Sequence, residues 1–600
     1  MGEDFFIVLR WWGTLFLVGA VAFPLTKRLF STWPASTRDG DSTRGWHDQG
    51  YFFAKAVGMA VVTYLVYLSG ILHLFPFTVS TVFGALMVLF VIGIALNGTR
   101  GKGHGTGKHV LLQILIEEFF FFLALLFWSW IKGYEPSIHG LEKFMDYGFM
   151  KSILNSQYFP APDMWYAGSS INYYYFGHTV VAVLTKLSGI DLSYTFNLML
   201  ASIFAFTLTM SFSIGKQIGQ ICGGILTAFL VTLAGNMQTI YAFTKGYDGD
   251  AVKPFWELFG KMDLNRYWYA NATRFIPFTI HEFPSYSFVV SDVHGHVLSL
   301  PFVLLAIGVL VELFQGPALG GFKGRALLVF YGFLVSVLLM TNALDGPIYF
   351  GLFVILLIVH SHKKWKELIV PICTVGVTAA LASIPFLLHF KSFVSGLAVN
   401  CPLPFLANTK IGPLLFEGIE KCQHSPIWML WLLWGFFIYC GVWLLLKKKF
   451  TQHEKLLLVF FGFSLLLIIF PEFFYFKDIY PAHFRSNTMF KLGYQAFILF
   501  SIVSAYSIVT SFKSNVKCQK SKVLRMLFLL ILLPQLFLVS IFPIFSVRSY
   551  FDSLKTYKGL DGTVWLKEQY SDDWAGIEWL NKQSQSVIVE ADGDSYTDYA

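Results

Sequence analysis

Apolar runs long enough to cross a lipid bilayer recur from residue 5 to about residue 547, and we count about fifteen of them. Each crossing of a hydrocarbon core of roughly 30 Å takes about 20 residues, so the chain is expected to thread the membrane many times. Composition agrees, with 55% hydrophobic, 18% aromatic and only 13% charged residues in 600, too apolar for a water-soluble chain of this length. The expected fold is an all-α polytopic integral membrane protein of about 13–16 transmembrane helices. The opening "MGEDFFIVLRWWGTLFLVGAVAF" begins acidic and lacks the basic start and small-residue cleavage site of a signal peptide, so the first run reads as an anchor.

Charge sets the orientation. The net charge of +8 sits in short loops between apolar runs, where topology explains it and nucleic acid is not called for. By the positive-inside rule the loops at 99–109, 321–325, 360–367, 447–455 and 513–525 are cytoplasmic. The segments 132–171, 244–295, 342–347, 391–425, 472–487 and everything after about 548 then face outside. Three apolar runs lie between 172 and 243 where an even number of crossings is needed, so one of them must fall short of a full span. The expected organisation is an N-terminal helical part (1–131), a core (132–547) with outer loops 132–171, 244–295 and 472–487, and an extracytoplasmic segment (548–600). That last segment reads as a short helix followed by a strand, the start of a small α/β region cut short. Of six cysteines only Cys401 and Cys422 flank one outer loop, and a disulfide there is compatible with an oxidising compartment.

Nearly every unusual polar cluster falls on the outer set. Apolar positions between Leu141 and Leu154 recur at helical spacing and suggest an amphipathic helix in the interface, with Trp165 and Tyr166 near headgroup level. Asp146 on that helix is either a general base toward an acceptor hydroxyl or, with Glu142, part of a solvated polar face. Asp163, reached through Pro160 and Pro162, is either a second catalytic acid or a turn residue. In "SDVHGH" (291–296), Asp292, His294 and His296 alternate, so an extended segment would aim them to one side. With Glu282 they could hold a divalent cation such as Mg or Mn, or they could line a wet cavity as hydrogen-bonded groups. His281 adjoins them. Glu472, Arg485 and Lys491 follow, the two cations suited to grip a lipid phosphate or, for Lys491, to snorkel. Asp345 in "TNALDGP" is a site candidate or a helix-stop residue. Glu117 and Glu118 lie near the inner half of a span and could simply pair with a neighbouring helix, and Asn271-Ala-Thr273 matches a glycosylation acceptor pattern.

The same-side placement of three clusters favours a catalytic cavity at the outer leaflet, with cations at phosphate depth and carboxylates above. The expected reaction is sugar transfer from a polyprenyl-phosphate-linked donor to an unknown acceptor, with membrane lipids as the surroundings. A transporter or lipid flippase, or a non-catalytic envelope scaffold, is the competing class.

The runs "EKFMD" (142–146), "FPAPDMWYAG" (159–168) and "INYYYFGH" (171–178) together resemble the signature of the YYY membrane protein family of Archaea and Chloroflexi-type bacteria. The resemblance continues through 271–302, "TNALDGP" and "HFRSNTMFKLGYQ" (483–495). It implies a GT-C-like glycosyltransferase of the cell membrane, multi-pass, with site loops facing outside and an acidic catalytic residue in an outer loop, best matched by Asp146. Tyr173, Tyr174, Tyr175 and His178 are expected to open a helix, with Tyr174 and His178 on one face as ligand-contacting groups or the tyrosines as an interfacial belt.

Overall fold

The computed structural model describes residues 2–30, 46–98, 108–247, 252–262, 264–315, 319, 321–360, 365–403, 405, 409, 412, 420–447, 449–478, 481–513 and 519–590. It is a helical bundle. Twelve helices of the described residues are long and apolar enough to cross a membrane. Those at the N-terminal end are α1 (Gly2–Phe30), α2 (Tyr51–Ile71), α3 (Val79–Gly98) and α4 (Lys108–Lys132). Helices α5 (Lys143–Asn155), α6 (Phe176–Ser188) and α7 (Leu192–Thr232) follow, then the short α8 (Pro284–Val290) and α9 (Gly295–Leu298). The remaining core comprises α10 (Leu300–Gln315), α11 (Phe322–Thr341), α12 (Asp345–His360), α13 (Trp365–Leu387), α14 (Ile427–Leu445), α15 (Gln452–Phe473), α16 (Ser486–Lys513) and α17 (Gln519–Ser540).

Helix α7 is a hairpin. Its 41 residues break at Gly219 and Gln220, the latter at φ 63°, and the two arms then pack on each other. A Cβ on Gly215 would lie 2.5 Å from the Gly223 carbonyl oxygen and 2.3 Å from Thr227 Oγ1, so only glycine permits this approach. With the arms counted separately and the shorter apolar helix α12 added, the described residues hold fourteen candidate crossing segments, inside the expected range. The short run is α6. Asp146 of α5 meets His178, and Lys186 Nζ donates to Leu154 O at 3.2 Å and to Phe77 O at 2.7 Å, so α6 lies alongside α5 at one end of the bundle. This removes the parity conflict.

The same end gathers the other non-helical parts. Strands β1 (Gly396–Val399) and β2 (Phe474–Lys477) pair antiparallel there, with Gly396 opposite Lys477. A disulfide joins Cys401 and Cys422. The tail folds back onto it as α18 (Phe542–Tyr550), α19 (Val564–Gln569) and α20 (Ser571–Leu580), with Ile138 N–H donating to Gly562 O and Gly562 N–H donating to Ser193 O. The helix expected in the tail is therefore present. Residues 586–590 form no strand, and 591–600 lie outside the described residues. Helix α10 runs away from the 295–298 turn to Gln315, so the basic loop at 321–325 lies at the opposite end, which we call the basic end.

Candidate functional site

The site is built where α5, α6 and the 291–298 turn converge. Asp146 sits in the first turns of α5 and its carboxylate is fully buried. Oδ1 is 2.6 Å from His178 Nε2 and Oδ2 is 3.2 Å from His294 Nδ1. His294 Nδ1 also stands 3.4 Å from Glu142 Oε2. On its other side, His294 Nε2 is 2.6 Å from the Tyr173 hydroxyl, which donates to the Tyr174 hydroxyl at 3.0 Å. Lys491 Nζ of α16 donates to Tyr174 at 2.9 Å and to Asn342 Oδ1 at 3.0 Å. An unbroken polar chain thus runs from His178 through Asp146, His294, Tyr173 and Tyr174 to Lys491. The hydrogen-bond partners of Lys491 are neutral oxygens and the Tyr174 ring stands 4.4 Å away, with the Asp345 carboxylate near enough to interact with its charge but not bonded to it.

Two glycines permit this convergence: a Cβ on Gly177 would meet Leu298 Cβ at 2.7 Å, and Gly295 is the tighter. A Cβ there would meet the Thr341 carbonyl oxygen at 2.6 Å and Tyr174 Cε2 at 2.8 Å. The backbone between the two histidines therefore presses directly against the end of α11 and the tyrosine run.

Electrostatics reinforce the arrangement. Burial pushes the Asp146 carboxyl up, but the His294 charge and the bonds from both imidazoles outweigh it and hold the group below the ordinary aspartate value. Burial opposes a charged His294, yet Asp146 and Glu142 raise it well above the ordinary histidine value. Asp292 differs: burial pushes it up to about 8, against the pull of His294 and with the push of Asp146, Glu142 and Glu282. Its Oδ1 is buried without a hydrogen-bond partner. One ligand atom from each of Asp146, Asp292 and His294 lies within 4.8 Å of the others.

The expected metal set is thereby split. Glu282 pairs with Arg274 at 2.9 Å and stands 3.7 Å from His296 Nε2, while Asp292 and His294 join Asp146 instead. The reason is local: the 291–296 segment is not extended, since Ser291 adopts φ 60° and His294 begins the α9 turn. His296 contacts Ser287 Oγ at 3.4 Å, which in turn is 3.3 Å from the Tyr494 hydroxyl. Tyr174 and His178 also part company. Helix α6 starts only at Phe176, so Tyr174 precedes it and reaches Lys491 while His178 reaches Asp146.

Asp163 takes the turn role. Its Oδ1 accepts the backbone N–H groups of Trp165 and Tyr166, both at 2.9 Å, which closes a local turn. Arg485 is fully buried and ion-paired, with Nη1 3.0 Å from Glu472 Oε1 and Nη2 donating to Ser425 Oγ at 3.1 Å, while its Nε is buried without a hydrogen-bond partner. Glu472, expected to touch substrate, is its counter-ion and also accepts from Ser425. His281 Nε2 bonds Thr279 Oγ1 at 2.8 Å, and burial with Arg274 and Arg485 nearby lowers it to about 3. Asp345 accepts from Ser299 Oγ at 2.7 Å and Gln495 Nε2 at 2.9 Å, adjoining the Asn342 that holds Lys491.

Sequence reading missed Asn342, Gln495 and Arg274 as members of these networks. Gln495 falls four residues after Lys491, hence on one helix face, a signal that was available. Nothing in the sequence linked Arg274 to Glu282.

Several solved structures resemble this chain. The Archaeoglobus fulgidus oligosaccharyltransferase in its apo form matches at 12% identity and a TM-score of 0.38, over 79% of this chain and 62% of that one. The same enzyme tethered to an acceptor peptide through a disulfide matches at 11% and 0.37, over 81% and 61%, and its complex with zinc and sulfate at 11% and 0.36, over 78% and 59%. The chain spans about three fifths of the length of those structures. Among curated proteins none matches. The sequence profile of the uncharacterised membrane protein family DUF2298 matches residues 61–455 and 438–500, which take in Asp146, the tyrosine run, the 291–298 turn and Lys491, and the chain belongs to that family.

Proposed function

We propose that this protein is a GT-C-type membrane glycosyltransferase that moves a sugar from a polyprenyl-phosphate-type lipid to an acceptor at the site end, which the basic loops orient toward the outside of the cell membrane. The observation that carries the reading is the polar chain joining the buried Asp146 carboxylate to the Lys491 ammonium at one end of an apolar bundle. A displacement at an anomeric carbon needs both charges: a carboxylate to take the acceptor proton and a cation to receive the leaving phosphate.

In the proposed step the acceptor oxygen forms a bond to the anomeric carbon as the bond to the lipid phosphate breaks. The electron pair leaves with the phosphate, and the acceptor proton passes to a carboxylate. Attack opposite the leaving group inverts the anomeric carbon, through an oxocarbenium-like state of the kind inverting glycosidases use. Lys491 neutralises the phosphate, with Tyr174 and Asn342 fixing its ammonium. Arg485 serves the same end of the bundle indirectly by holding Glu472 and Ser425. Asp146 lies beneath His294 and Glu142, whose side chains are 11% and 30% exposed against 0% for Asp146. An acceptor therefore approaches the carboxylates from the Glu142 side, and Asp146 becomes accessible when His294 moves off its Oδ2.

The unpartnered Oδ1 of Asp292 beside Asp146 fits a divalent cation held by these two carboxylates, a set that suits Mn or Mg, with His294 able to join as a third ligand only on giving up its proton to the incoming ion. Bound there, a cation would supply Lewis-acid shielding of phosphate charge. Incubating the purified protein in lipid nanodiscs with radiolabelled polyprenyl-phosphate sugars and membrane extract tests the reading. Label should pass from lipid to acceptor in the wild type and not in Asp146→Asn; equal transfer by both proteins would remove Asp146 from the chemistry.

A further inference from the structure

A second group of ligand-competent side chains lies at the basic end. His47 and Asp48 precede α2, and Glu117 projects from α4. One ligand atom from each of the three lies within 4.8 Å of the others. Glu117 is fifteen residues before the site end of α4, about 22 Å along a helix rising 1.5 Å per residue, so this cluster is separate from the one around Asp146.

Each side chain is already oriented, and His47 and Glu117 each have one atom left over. Asp48 is buried, and its Oδ1 accepts from Gly50 N–H at 2.8 Å while Oδ2 accepts from Phe52 N–H at 3.3 Å and lies 3.5 Å from Ser213 Oγ. Glu117 is only 5% exposed; Oε1 accepts from Gln113 Nε2 at 2.8 Å, and Oε2 has no partner. His47 Nδ1 stands 3.4 Å from Gln217 Oε1, and its Nε2 is buried without a partner. An imidazole whose Nδ1–H is held by an amide oxygen presents Nε2 as its free ligand, the usual support for a metal-binding histidine. Lys216 is the neighbouring cation, its Nζ 5.9 Å from the Phe212 ring.

Two carboxylates brought together at the edge of an apolar bundle repel each other and lose hydration, and a divalent cation would neutralise both. We propose that His47, Asp48 and Glu117 form a divalent-cation site that ties the start of α2 to α4 and, through Gln217 and Ser213, to the bend of the α7 hairpin. One imidazole and two carboxylates without a thiolate select a hard to borderline ion such as manganese or zinc. Ligands around a tetrahedral zinc at about 2.0–2.1 Å stand about 3.3 Å apart, so the three atoms need to draw in by at most about 1.5 Å. The site acts as a clamp between the start of α2, the body of α4 and the bend of α7, and is independent of the transfer reaction.

The test uses the 600-residue chain in detergent, stripped with EDTA under non-reducing conditions that keep the Cys401–Cys422 disulfide and titrated with Zn²⁺ or Co²⁺ in an Asp292→Asn background, which removes a ligand of the Asp146 cluster. We expect one equivalent of metal, with a Co²⁺ absorption band of a nitrogen and oxygen ligand set, and a rise in Tm on metal addition. His47→Gln or Glu117→Gln should weaken that uptake at least 10-fold and abolish the Tm rise, while Tm in EDTA stays within a few degrees of the parent. If Glu117→Gln does not fold, His47→Gln at the half-buried edge decides alone. No metal uptake by the Asp292→Asn protein, as a proton shared between Asp48 and Glu117 would give, or uptake unchanged by His47→Gln, overturns the proposal.

Discussion

Replacing Asp146 by Asn tests whether its charge holds the site together as well as driving chemistry. The carboxylate accepts from two buried imidazoles at 2.6 and 3.2 Å, and charged hydrogen bonds of this kind contribute about 1.5–3 kcal/mol each. Removing one partner of a buried charged pair costs about 3–5 kcal/mol because the other charge is left uncompensated. Asp146→Asn should therefore lose about 3–5 kcal/mol of stability together with transfer activity. His294→Gln removes one of the two bonds and leaves His178 in place. In a double-mutant cycle measured by chemical denaturation in a defined micelle, the Asp146–His294 coupling should come out at about 1.5–3 kcal/mol. Additive losses, with coupling below about 0.5 kcal/mol, would show that the contact carries no energy and refute the argument that Asp146 positions His294.

Lys491→Met should reduce transfer by at least 10-fold and raise the apparent KM for the lipid donor, since the ammonium held by Tyr174 and Asn342 is lost; an unchanged KM in donor titrations counts against phosphate binding there. Chelation should suppress transfer and Mn²⁺ restore it, with Asp292→Asn needing at least 10-fold more metal, whereas activity indifferent to EDTA dismisses the cation. Gly295→Ala should destabilise the protein by about 1–3 kcal/mol in thermal melts, because the new methyl overlaps the Thr341 carbonyl and the Tyr174 ring. His281 carries an acid sensitivity. Its folded pKa lies at about 3 against 6.5, so below pH 6.5 the unfolded chain binds a proton that the folded one refuses, and stability falls with pH from 6.5 toward 3. At pH 4.5 this amounts to about 2.7 kcal/mol at 1.36 kcal/mol per unit, and His281→Asn should flatten that part of the stability profile.

The helical, membrane-spanning architecture was legible in the sequence because lipid demands about 20 apolar residues per crossing, a constraint written locally along the chain. The amphipathic helix carrying Asp146 was legible for the same reason, and the structure places it at Lys143–Asn155. Local patterns also marked where polar residues crowd at one end. They did not say which of those residues meet. The alternation of Asp292, His294 and His296 suggested one ligand set, yet a left-handed Ser291 and the α9 turn send Asp292 and His294 toward Asp146 and His296 toward Ser287. Tyr174 and His178 looked like one helix face until the helix began two residues after the tyrosine. Arg485 and Lys491 read alike as phosphate grips, but only tertiary packing gave Arg485 a bonded carboxylate and Lys491 hydrogen bonds to neutral oxygens. The sequence by itself determined that the chain is a helical membrane protein and which residue types gather at its polar end, because hydrophobic length and charge placement are local quantities. Pairing depends on contacts between distant residues, such as Tyr174 and Lys491, 317 positions apart, and that was decided by how the helices pack.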